Sequence, residues 1–114
     1  MAGGELRSDS GAAFGQSALD FIAQFTVHHA IISAGAVDAG GVMDYALEEA
    51  EFARLVLSRG QRRVVVTDHT KFGRRGLIAV AGFDEIGEIV TDRTPERGIA
   101  AHITEAGARL TLTG

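Results

Sequence analysis

The stretch VVVTDHTKFG, Val64 to Gly73, runs three β-branched residues straight into Thr67, Asp68, His69, Thr70 and Lys71. β-Branched side chains are stiff and fit a pleated, half-buried surface, so the first part reads as a strand. A strand ending in charged and polar groups is how an open α/β sheet delivers side chains to a crevice at its carboxyl edge. The strand is expected over Arg63–Thr67 and is apolar on both faces, the mark of a parallel sheet covered by helices.

Working outward, the pattern alternates. Ser17 to Val27 carries Ala18, Leu19, Ile22 and Phe25 at helical spacing, with Ser17 as N-cap. Ala30–Ala34 is a continuously apolar strand, and Gly35, Gly40 and Gly41 break the chain after it. Asp44–Arg59 is amphipathic with a period near 3.6 and ends at Gly60. Leu77–Ala81 and Gly87–Thr91 read as two more strands. Thr94 followed by Pro95 predicts a helix from Pro95 to Ala106 that stops at Gly107, and Arg109–Thr113 closes with a strand. The opening residues show no sustained period beyond a short candidate strand at Glu5–Arg7. Strands alternating with helices of this length imply βαβ units and an α/β fold with a mainly parallel sheet flanked by helices.

At 114 residues the chain is one domain's worth, with no linker or repeat that divides it. With 46% hydrophobic and 23% charged residues the composition is that of a folding globular chain rather than a disordered one. The absence of cysteine excludes disulfides, thiolate metal sites and thiol nucleophiles, and suits a reducing compartment; the cytoplasm is the expected location. A net charge of −4 argues against direct nucleic-acid binding, which needs a basic face, and Lys71–Arg75 is the one basic concentration. No apolar run approaches the length of a membrane span and no signal peptide opens the chain, so no membrane partner is expected.

Asp68 and Lys71 stand at and just past the end of the Arg63–Thr67 strand, where a lysine holds phosphate as a point charge and an aspartate accepts from sugar hydroxyls or orients the lysine. The plainer reading is a surface ion pair and a turn through Gly73. Asp38 follows the Ala30–Ala34 strand in the equivalent place, and two strand ends of one parallel sheet can share a crevice; alone, an aspartate among glycines is more often a turn residue. His28 and His29 are adjacent and point apart, while His69 and His102 have no carboxylate partner at ligand spacing, so no metal site is expected. Glu48 and Glu51 share a helix face, which admits an acid/base pair but is more simply a solvated face. Nucleophile-elbow, Walker and dinucleotide signatures are missing, and no cofactor is implied.

Four segments in order, GGELR (3–7), AIISAGAVD (30–38), YALEEAEFARLVL (45–57) and RRVVVTDHTKFG (62–73), resemble the C-terminal sensor domain of DeoR-family bacterial transcriptional regulators. The resemblance implies a fold similar to ribose-5-phosphate isomerase and a domain that binds a phosphorylated sugar effector and oligomerises. DNA would be reached only through a separate N-terminal helix-turn-helix. By the same resemblance Lys71 would contact the effector phosphate, Asp68 would order the strand end, Asp38 would meet sugar hydroxyls, and Ser33 and Gly35 would line the loop. The family's helix-turn-helix and its Gly-Thr-Thr phosphate loop have no counterpart among these residues, so 1–114 is expected to be a single, partial sensor domain. Ala53 and Arg54 stand where isomerase relatives place an acid/base glutamate, which argues against catalysis. The alternative is an isomerase-like enzyme fragment using Glu49 or Glu51 with Asp38.

Overall fold

A computed structural model describes residues 16–113; the candidate strand at 5–7 lies outside the described residues. In chain order the elements are α1 (Gln16–Ala23), β1 (Val27–Ser33), β2 (Ala36–Asp38), β3 (Gly41–Asp44), α2 (Leu47–Arg59), β4 (Gly60–Val66), a 3-10 turn (His69–Lys71), β5 (Ile78–Ala81), a second 3-10 turn (Phe83–Glu85), β6 (Glu88–Thr91), α3 (Arg97–Glu105) and β7 (Arg109–Leu112). Four strands form a parallel sheet in the order β1-β4-β6-β7, and β2, β3 and β5 form a small antiparallel sheet. The α/β class and the parallel sheet follow the sequence pattern.

Parallel register places Ile32, Val65, Ile89 and Leu110 in one row across the sheet. Val65 and Ile89 are fully buried there, in one core cluster with Ala50, Ala53 and Leu57 of α2 and Ile99 and Ile103 of α3. On the opposite face Ile31 and Val66 remain exposed among the described residues. Small residues let α2 approach closely: a Cβ on Gly60 would lie 2.4 Å from the Cβ of Ala30, so the helix-to-strand corner tolerates no side chain.

Two expectations are corrected. GAVDAGG, read as a break, is the β2–β3 hairpin, with Asp38 paired to Gly41. Gly41 sits at φ +130°, and a Cβ there would come within 2.4 Å of the carbonyl oxygen of Ala81 on the neighbouring strand. Strand β5, expected as a strand over Leu77–Ala81 in a mainly parallel fold, runs antiparallel to β3 in the small sheet. Helix ends shift as well: α2 begins at Leu47 because Asp44 belongs to β3, and α3 begins at Arg97, two residues after Pro95.

Ile89→Ala, which opens a cavity at the centre of the parallel sheet, is expected to cost about 2–5 kcal/mol in urea unfolding. Leu77→Ala, at a largely exposed position, should change stability by no more than about 0.5 kcal/mol.

Candidate functional site

At the carboxyl ends of β1, β4 and β6 lies a cleft of about 400 Å³ lined by Ser33, Val66, Thr67, Asp68, Lys71 and Val90, with Thr91, Asp92 and Thr113 along one side. Three neighbouring strands ending together create it. The sheet ladder continues one step past β4, where the Thr67 N–H donates to the Val90 carbonyl at 3.0 Å, and the chain then turns sharply.

The turn is fixed by its own side chains. Asp68 caps it: Oδ1 accepts the Thr70 N–H at 2.8 Å and also the Thr70 hydroxyl. The Phe72 N–H returns to the His69 carbonyl at 3.2 Å, and the Gly73 N–H, with Gly73 at φ +81°, reaches the Val37 carbonyl at 2.7 Å. Half-buried Lys71 is thereby held over the cleft with Nζ 4.0 Å from Asp68 Oδ2, a loose pair that leaves its ammonium donors for other acceptors.

A second carboxylate, at the end of β6, holds the turn from outside. Asp92 Oδ1 accepts the His69 N–H at 2.8 Å, and Oδ2 meets His69 Nδ1 at 2.8 Å. His69 therefore has the carboxylate partner that its sequence neighbourhood lacked, from a residue 23 positions further on. Only the register of β4 against β6 brings the two together. The His69 ring bond is the main cause that holds the Asp92 carboxyl below the usual range, and the Thr70 hydroxyl does the same for Asp68, with Lys71 contributing less.

The floor carries a buried hydroxyl. Thr67 is 8% exposed, and its Oγ1 has no hydrogen-bond partner among the described residues. Leaving such a group unsatisfied costs about 1–3 kcal/mol, so a site that hydrogen-bonds it on binding regains that cost.

The remaining residues singled out in the sequence divide. Ser33 lines this cleft. Asp38 does not: it lines a separate cavity of about 490 Å³ with Arg54 and Arg75, and its Oδ1 accepts the Gly40 N–H at 2.8 Å, the turn arrangement of an aspartate among glycines. Its strand belongs to the small antiparallel sheet and not to the sheet that holds β4. Gly35 packs against the hairpin, its N–H on the Met43 carbonyl at 3.2 Å, and a Cβ there would lie 2.9 Å from Asp44 Oδ1. Glu49 lines a third hollow beside Asp44, where burial first and Asp44 second raise its carboxyl above the usual range. Glu49 and Asp38, paired in the enzyme alternative, thus occupy different cavities.

An open parallel sheet with a lysine, a capped turn and a buried hydroxyl at its carboxyl edge is the architecture of a small-ligand domain. Residues 1–93 match the DeoR C terminal sensor domain, and the chain belongs to that family. It is 29% identical over 113 residues to the glycerol-3-phosphate regulon repressor of Escherichia coli (strain K12), an alignment covering 98% of this chain and 45% of that protein. The repressor of the same name from Haemophilus influenzae is 32% identical over 113 residues, covering 98% and 44%. The lactose phosphotransferase system repressor of Staphylococcus aureus is 28% identical over 99 residues, covering 87% and 39%. The chain spans less than half the length of these repressors. Its place is that of a regulatory sensor domain and not of an enzyme.

Because folding depresses the pKa of Asp68 and Asp92, their hydrogen bonds are fully present above about pH 4, the ordinary carboxylate value, and are lost as pH falls through the depressed folded values. Amide protection at His69 and Thr70 should therefore be constant from pH 7 to about 5 and collapse under stronger acid. Asp92→Ala should remove protection at His69 while leaving that of Val65 unchanged, as read by hydrogen exchange.

Proposed function

We propose that this chain is the effector-sensing domain of a DeoR-type repressor and that the cleft at the carboxyl ends of β1, β4 and β6 holds a phosphorylated sugar or sugar-derived metabolite. The observation that carries the reading is the pairing, in one cleft, of the Lys71 ammonium with the buried, unpartnered hydroxyl of Thr67. Lysine serves phosphate as a point charge, and a hydroxyl lining the same cleft can serve the hydroxyls of a small polyol. Asp68 acts on the ligand through Lys71, whose turn it caps. Asp92, rather than Asp38, is the carboxylate along the cleft that accepts from ligand hydroxyls. The names of the relatives, which refer to glycerol 3-phosphate and to a sugar phosphotransferase system, support this chemical class.

In the longer regulator the domain would report effector occupancy to a separate DNA-reading segment, in the cytoplasm. The net charge of −4 fits a chain that does not grip phosphate backbones itself. Coupling is reciprocal: an effector that weakens operator binding is itself bound more weakly by the operator-bound protein.

Calorimetry on the 114-residue chain tests the reading, with glycerol 3-phosphate and a panel of sugar phosphates against inorganic phosphate and the unphosphorylated compounds. One phosphorylated member is expected to bind selectively. Lys71→Ala should weaken it by about 1.5–3 kcal/mol, roughly 10- to 150-fold, the range of a hydrogen bond to a charged group. Thr67→Val should weaken it by about 1 kcal/mol. Equal binding of the unphosphorylated compounds, or indifference to Lys71→Ala, would overturn the assignment.

A further inference from the structure

The hollow that Asp38 borders is larger than the cleft, at about 490 Å³, and shares no lining residue with it. It lies between the small antiparallel sheet and α2. One wall is apolar: Val42 of β3 and Val80 and Ala81 of β5 are buried. The other side is charged. Arg54 comes from α2, Arg75 from the loop before β5, Asp38 from the end of β2 and Glu85 from the second 3-10 turn. Two cations and two carboxylates thus face one space.

Opposite charges in so small a space attract and pair directly unless something holds them apart. Among the described residues none of these four pairs with another. Three are tethered to backbone instead. Asp38 Oδ1 accepts the Gly40 N–H at 2.8 Å, Glu85 Oε1 accepts the Gly82 N–H at 2.9 Å, and Arg54 Nη1 donates to the Ala79 carbonyl at 2.6 Å. Each tether uses one atom of the charged group. It leaves the second oxygen of each carboxylate and the remaining guanidinium donors of Arg54 for another partner. Arg75 makes no hydrogen bond or ion pair among the described residues, so its donors are available as well.

The lining selects its occupant by charge. Two arginines against two carboxylates sum to zero, so an occupant without net charge leaves no charge unbalanced. A guanidinium fork matches a carboxylate through two parallel hydrogen bonds, carboxylate oxygens accept from an ammonium, and the apolar wall favours a hydrocarbon side chain. We propose that this hollow is a second ligand site, which binds an α-amino acid with an aliphatic side chain. Arg54 and Arg75 hold its carboxylate, Asp38 and Glu85 its ammonium, and Val42, Val80 and Ala81 its side chain. A hydroxy acid lacks the ammonium and brings a net negative charge to two carboxylates. A sugar phosphate brings more, which separates this site from the cleft of Lys71. The proposal is independent of what fills that cleft.

Amide chemical-shift mapping of the 114-residue chain tests it with probes of one carbon skeleton: L-leucine, 2-hydroxy-4-methylpentanoate and 4-methylpentanoate. Leucine is expected to give saturable shifts at Gly40, Val42 and Ala79 to Ala81, with the amides of Thr67 to Phe72 unmoved. The hydroxy acid and the unsubstituted acid should each bind at least about tenfold more weakly, the scale of a lost hydrogen bond to a charged group. Arg75→Gln, at an exposed position, should weaken leucine by about tenfold or more without changing the melting temperature. Asp38→Asn keeps an acceptor for the Gly40 N–H while removing the charge, and should narrow the preference for leucine over the hydroxy acid. Absence of leucine-dependent shifts up to its solubility limit, equal binding of the three probes, or leucine binding indifferent to Arg75→Gln would overturn the assignment.

Discussion

Strand β4 must be paired on both edges, and the molecule is arranged around that requirement. Its parallel registers against β1 and β6 put Val65 between Ile32 and Ile89, burying the row against which α2 and α3 pack. The same registers end β1, β4 and β6 at one level. Ser33, Thr67 and Asp92 therefore reach the same cleft from positions far apart in the chain. A one-residue slip of β4 would send Val65 to the opposite face and turn Thr67 away from the cleft, so core and site share a single constraint.

The turn beside the cleft is braced by hydrogen bonds from two sides. Lys71 has a long, flexible side chain, so the phosphate contact proposed for it depends on a backbone held in place. Two carboxylates with opposite sequence relations to it provide this: Asp68 from within the turn, through Thr70, and Asp92 from the neighbouring strand, through both the backbone and the ring of His69. The proposed sensing role favours a site that is formed before the ligand arrives, because every ordering step on binding subtracts from affinity. Among the described residues the Thr67 hydroxyl is left without a partner, and it is the group proposed to meet a ligand.

Much of this was legible in the sequence. The period near 3.6 over Asp44–Arg59, apart from its first three residues, located α2, Gly107 located the end of α3, and the doubly apolar VVV run identified a strand of a parallel sheet. The run's polar end marked Asp68 and Lys71 because strand chemistry and turn chemistry there are local. The β2–β3 hairpin was hidden because strands of three and four residues around glycines carry no period of their own. The His69–Asp92 pair was hidden for a different reason: it depends on strand register across 23 residues, which composition and spacing do not encode. Asp38 shows how a similar local pattern leads to a different place in the fold. It follows a strand-like run, as Asp68 does, but its local turn with Gly40 and its place in the second sheet decide its surroundings.

Whether Thr67, Lys71 and the Asp92-held turn form one ligand site is read by amide chemical-shift mapping of the chain titrated with glycerol 3-phosphate or the tightest phosphorylated compound. Saturable shifts are expected at Thr67 to Phe72, Thr91, Asp92 and Thr113, with the Asp38–Gly40 hairpin and Arg54 unmoved. Shifts concentrated around Asp38, Arg54 and Arg75 instead, with the Thr67–Phe72 amides silent, would contradict it.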